Sequence, residues 1–111
     1  MNIVILRGVL SSDPVSRTLA SGSVVVSLEV TTTVEGSSVS VPVAWFDPAR
    51  EVLFAAGDAL VVTGTVRRRF FRSAGLTQSR TEVVATEVVA AGRARQVKAA
   101  VGRAIKLANA A

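Results

Sequence analysis

The chain has 111 residues, half of them apolar, enough for one domain with a real core and too few for two. It has neither cysteine nor histidine, which excludes disulfides, thiolate sites, zinc clusters and any imidazole base. No stretch approaches the roughly 18 apolar residues of a membrane-spanning helix, and the formal charge of +5 belongs to one end.

That end starts at Arg93. From there on the chain has five cations (Arg93, Arg95, Lys98, Arg103, Lys106) and no acid. Residues 1–92 carry eight basic and eight acidic side chains. The body's attraction for a polyanion therefore has to come from local clustering of arginines. The acids (Asp13, Glu29, Glu35, Asp47, Glu51, Asp58, Glu82, Glu87) are scattered, with no spacing that favours a carboxylate hydrolase or a metal site. A protein that is not an enzyme and uses no cofactor or metal is expected. The apolar first residues have no basic segment before them and run into Asp13-Pro14, unlike a signal peptide. A soluble cytoplasmic protein is the default expectation.

Asn2 to Leu10 is β-branched and apolar, with Gly8 at a bulge or bend where the sheet must coil. Ser11 to Pro14 reads as a turn, after which Val15 to Leu19 continues the bent strand. Ser21-Gly22 is a tight-turn signal. Val24, Val26, Leu28 and Val30 then alternate with Val25, Ser27, Glu29 and Thr31, as in a half-buried strand. Glu35 to Ser38 forms a short hairpin loop. In the next strand Val39, Val41, Val43 and Trp45 face the core. Ser40, Pro42, Ala44 and Phe46 face away, so Phe46 is either a ring tucked under a loop or an exposed stacking surface.

Asp47-Pro48 reads as an N-cap and first helical residue. Ala49, Val52, Leu53 and Ala56 form one helical face and Gly57 ends it, predicting a short helix over 48–56. The strand that follows passes without a turn residue from Leu60 into Arg67-Arg68-Arg69-Phe70-Phe71-Arg72. Strand alternation puts Leu60, Val62, Gly64 and Val66 on the core side, with Arg68, Phe70 and Arg72 in the same phase. Arg67, Arg69 and Phe71 take the other face, so burial suits Phe70 better than Phe71. Guanidinium forks fit phosphate and an exposed ring accepts a base, so the pairing suits single-stranded nucleic acid. The bland alternative is a solvated strand end with both rings in the core. Ser73 to Ser79 reads as a flexible tip, Arg80 to Ala90 as the return strand.

Arg93 to Ala111 changes to an alanine-rich composition. Val97, Val101, Ala104, Ile105 and Ala108 share one helical side, opposite Arg95, Lys98, Arg103 and Lys106. Packing on the body or on a neighbour, or fraying, is favoured over a further polyanion contact or a partner-binding helix.

Five strands with one short helix between the third and fourth is the order of an all-β OB-fold, a Greek-key barrel, here residues 1–92, followed by the basic tail 93–111. The chain resembles the bacterial single-stranded-DNA-binding protein family. The matching segments are Asn2 to Arg17, Ser21-Gly22 with Val24 to Val30, and Trp45-Phe46. Gly57-Asp58 leading to Val61 to Phe71, and Gly75 followed by Thr81 to Val84, complete them in collinear order. The resemblance implies a non-catalytic homotetramer, cytoplasmic and associated with the nucleoid, that wraps single-stranded DNA in replication, repair and recombination. It implies that Phe46 and Phe71 stack on bases. Arg67, Arg69 and Arg17 fall at backbone-contacting positions, and Phe70, Arg72 and Arg80 complete the expected nucleic-acid-binding set. Trp45 aligns with a core position.

The chain departs from the family at Ser40, where a further stacking tryptophan is common, and in the short loop 35–38. It also lacks the acidic, phenylalanine-ended tip that recruits repair proteins. Weaker, more salt-sensitive binding is expected, without recruitment through such a tip. An OB-fold protein-interaction module, primosome-like or for assembly, is the alternative. A binder of structured RNA through the basic tail ranks third.

Overall fold

Glycine 8 stands where the sheet closes on itself. In the structure, a computed structural model describing residues 1–110, the elements run β1 (Val4–Leu10), β2 (Val15–Thr18), β3 (Val24–Val34), β4 (Ser37–Phe46), β5 (Ala59–Ser73), β6 (Leu76–Ala90) and α1 (Ala94–Ala108). Ala111, the last residue of the predicted tail, lies outside the described residues. Neighbouring strands follow the order β1-β5-β6-β4-β3-β2, and β1 also pairs with β3 through Val9↔Thr31 and Leu10↔Val30. That last pairing closes five strands into a barrel of the OB type, with β2 as an extra strand on the edge of β3. A Cβ on Gly8 would collide with the Thr31 carbonyl oxygen and lie 2.8 Å from Val30 Cγ1. The seam closes this tightly because residue 8 has no side chain.

The predicted alternation on β3 and β4 is observed at Val26, Leu28, Val30 and Val43. Val39, expected to face the core, is exposed near the outer end of β4, and Val25 and Ala44, expected on the other face, are buried. Val26, Leu28, Val30 and Val43 join Leu10, Leu60, Val62, Val83 and Val88 in one buried cluster, with Trp45 partly buried against it. Burying side chains of this size contributes about 1.5–3 kcal/mol each. Along β6 the inward phase changes from Val83 to Val88, because the ladder passes from Gly64↔Ala85 to Thr63↔Glu87 and leaves Thr86 as an extra, bulged residue. Val61 and Thr63 face outward on β5, yet both are buried, where α1 packs over β5 and β6.

The segment predicted as a helix over 48–56 is not helical, and Asp47 to Asp58 is an irregular connection. Asp47 takes φ +45 and its carboxylate accepts from the Val24 N–H at 2.8 Å, so it pins the start of β3 instead of capping a helix. Two other carboxylates satisfy donors a helix would have used: Asp58 accepts from Ala55 N–H and Asp13 from Ala56 N–H. Val52 and Phe54, two residues apart, pack on the core while Leu53 is exposed. Period two replaces the expected helical period.

The β3–β4 and β5–β6 hairpins each turn on two residues of positive φ, Glu35-Gly36 and Ala74-Gly75, the backbone that matches strand twist. The second replaces the flexible tip expected over 73–79. As a result β5 and β6 pair continuously to Ser73↔Leu76 and project beyond the barrel as a two-stranded arm. The tail packs as a helix, with Ala100 and Ala104 buried against the body and Lys106 in its last turn. Ile105, expected on the packed side, is half exposed. Small alanine side chains make the contact, bringing the helix close and leaving the larger one outside. No helix among the described residues is long and apolar enough to cross a membrane.

Candidate nucleic-acid interface

The outer face of the sheet can be followed row by row through the strand register. Arg17 on β2 pairs with Val25 on β3, and Val25 with Phe46 on β4. In the next row Ser27 pairs with Ala44, Ala44 with Val84 on β6, and Val84 with Thr65 on β5. Further along the arm, Arg67 faces Glu82, Arg69 faces Arg80 and Phe71 faces Gln78. Because side chains alternate along each strand, Arg17, Phe46, Arg67, Arg69, Phe71 and Arg80 all share this one face. Both rings are half buried.

Each ring carries a guanidinium. Arg67 Cζ lies 5.2 Å from the Phe46 centroid and Arg69 Cζ lies 5.2 Å from the Phe71 centroid. Such contacts are worth about 0.5–1 kcal/mol at exposed sites. A base stacked on the same ring is worth about 1–3 kcal/mol, so an incoming base has the energy to displace the guanidinium toward a phosphate.

The carboxylate of Glu82 anchors both arginines. Arg67 donates to it from Nε at 3.1 Å and from Nη2 at 2.8 Å, and Arg69 Nε lies 3.5 Å from its other oxygen. Glu82 is buried while the two arginine side chains are each 42% exposed. The acid is thus enclosed and the cations keep one side toward solvent. One step further toward the tip, Arg80 Nη2 reaches β3 and donates to Glu29 Oε1 at 2.9 Å, and Ser40 Oγ donates to Glu29 Oε2 at 3.1 Å. Arg17 makes no ion pair among the described residues. The face therefore holds four arginines against two glutamates and keeps a positive excess.

Two predicted residues are not in this group. Phe70 and Arg72 lie on the opposite face of the arm together with Arg68. Phe70, the ring expected to be the better buried, is 68% exposed and Phe71 is the more enclosed of the two. Phe70 keeps the inward phase of β5, but the arm has left the barrel at that point and offers no core to enter. Nothing in the strand alternation marked Glu82 and Glu29 as partners of the arginines, or Ser40 as a donor to Glu29. A two-residue turn at Ala74-Gly75, once placed, brings Arg67 opposite Glu82 by counting back along the hairpin, so Gly75 carried that signal. Among the described residues no three acids lie close enough to hold a metal ion. Compared with protein-family models and with curated proteins, the chain matches none of either.

Proposed function

We propose that this chain binds single-stranded DNA without regard to sequence, by stacking bases on Phe46 and Phe71 and pairing phosphates with Arg17, Arg67, Arg69 and Arg80. The observation that carries this is the presence of two partly exposed rings from different strands on one face, each with a guanidinium over it. Rings accept any base and guanidiniums contact phosphate, so the face has affinity without base readout. The resemblance of residues 2–90 to single-stranded-DNA-binding proteins supports the same role. In that role the protein is a non-catalytic homotetramer, cytoplasmic and nucleoid-associated, acting in replication, repair or recombination.

Titration of labelled oligothymidine over a salt series tests it. Phe71→Ala should weaken binding by about 1–3 kcal/mol with the fold intact, and adding Phe46→Ala should weaken it further. If the double variant binds as the parent does, stacking is removed from the mechanism. Binding that stays flat even at low salt, together with a stable complex with a protein partner, would instead identify an OB-fold interaction module.

A further inference from the structure

The arm has a second face. There Arg68, Phe70 and Arg72 on β5 stand opposite Thr81, Ser79 and Thr77 on β6. Every one of these side chains is exposed, Phe70 most informatively at 68%. Among the described residues no acid lies on this side of the arm. Arg68 makes no ion pair or hydrogen bond among the described residues, and Arg72 donates only to the Gly75 carbonyl oxygen, at 2.9 Å. On the first face, by contrast, Glu82 and Glu29 hold three of the four arginines. The reverse face thus has the more exposed ring and the less neutralised cations.

Its chemistry chooses among occupants. A second copy packing this face against its own would bury Arg68 and Arg72 beside two further guanidiniums and no carboxylate, which is costly. An anionic chain removes that cost by bringing its own phosphates. Three hydroxyls, from Thr77, Ser79 and Thr81, line the same track and can donate to phosphate or sugar oxygens. Alternate strand residues repeat every ~6.8 Å, so Arg68, Phe70 and Arg72 present cation, ring and cation in a line along the arm. An extended single strand runs its phosphates and bases on parallel tracks, so such a line meets phosphates at its ends and a base between them.

Resting on the same single-strand reading, we infer that the arm binds nucleic acid on both of its faces. The reverse face is a second single-strand site centred on Phe70 and flanked by Arg68 and Arg72, so one chain holds two strand segments back to back across a two-stranded ribbon.

The test is stoichiometry. The full chain is titrated calorimetrically at low salt with an oligothymidine of about six nucleotides, too short to occupy both faces of one arm. Two oligonucleotides per chain are expected. Phe70→Ala combined with Arg68→Gln and Arg72→Gln should reduce this to one, leaving the remaining site at its original affinity. Phe46→Ala with Phe71→Ala should instead weaken the other site and leave the Phe70 site at its original affinity. Losing two phosphate contacts should also make the salt slope summed over both sites shallower by about 1.4. One oligonucleotide per chain in the parent, unchanged by the triple substitution, overturns the second site and leaves the first standing. A triple variant that loses self-association while keeping its stoichiometry would assign the face to a second copy. No binding by the parent at all would sink both sites together.

Discussion

Replacing Glu82 by glutamine separates the electrostatic role of the arm from its folding role. The carboxylate is buried and shared by Arg67 and Arg69, directly across and diagonally across the ladder. Both guanidiniums are partly exposed and rehydrate when the charge is lost, and glutamine still accepts one hydrogen bond. The fold should therefore lose only about 1 kcal/mol. Binding should move the other way. Removing one negative charge frees one more cation for phosphate, so the slope of log affinity against log salt steepens by about 0.7. Between about 50 and 200 mM salt, Glu82→Gln should lose roughly 2.5-fold more affinity than the parent, and it should bind the tighter of the two at the low end. Fluorescence anisotropy with oligothymidine at four or more salt concentrations measures both, and urea unfolding supplies the stability. Parallel salt slopes with weaker binding throughout would refute this account, because Glu82 would then be needed to position the arginines rather than restrain them.

At Gly64 an added Cβ would collide with the Val84 carbonyl oxygen and lie 3.0 Å from Ala85 Cα, all of it backbone. Gly64→Ala should cost about 3 kcal/mol, read as a lower urea midpoint at constant m-value; a change below about 0.5 kcal/mol would show that the bulge relaxes. The tether between barrel and helix should depend on pH. Arg103 donates to both oxygens of Glu87, at 2.8 and 2.7 Å, and chiefly through these bonds holds that carboxyl below its ordinary value of 4.5. A depressed carboxyl stabilises the folded form above its unfolded pKa, and the contribution is lost as pH falls through the folded one. Amide protection of Ala100 and Ala104 should thus hold near neutrality and drop in the acid range below 4.5, whereas Glu87→Gln should show the weaker protection at both ends. Trp45 packs against the core, so its emission should follow urea unfolding of the barrel and change little on adding oligothymidine to the folded chain.

Where one face of a strand is buried, period-two alternation was enough to read the sequence: Val26, Leu28, Val30 and Val43 fell where expected. The grouping of Phe46 with Arg67, Arg69 and Phe71 was legible for the same reason. The segment 48–56 was not, because Asp47-Pro48 is a genuine helix-start signal in local terms. What overrides it is distant in the chain, the carboxylates of Asp13 and Asp47 engaging Ala56 and Val24. Phe70 departs from its expected burial because alternation tells which way a side chain points and not whether anything lies there. How far the paired arm extends past the barrel depends on the turn at Ala74-Gly75, and that turn was hidden inside a longer stretch that read as flexible. The pairing of arginines with Glu82 and Glu29 needed a register that only the turn and the parallel contact between β4 and β6 supply.

Thr86, the residue without a partner in the long ladder, has a consequence of its own. If it were deleted, Ala85 would join Glu87 directly, and the inside and outside positions of both strands would still alternate correctly. The chemistry of the arm would be untouched, but the extra coil that a bulge puts into a ribbon would be gone. Heading is thus encoded apart from composition: one threonine steers where rings and guanidiniums are delivered, and shortening the chain by that single unit should yield a well-made arm pointing the wrong way.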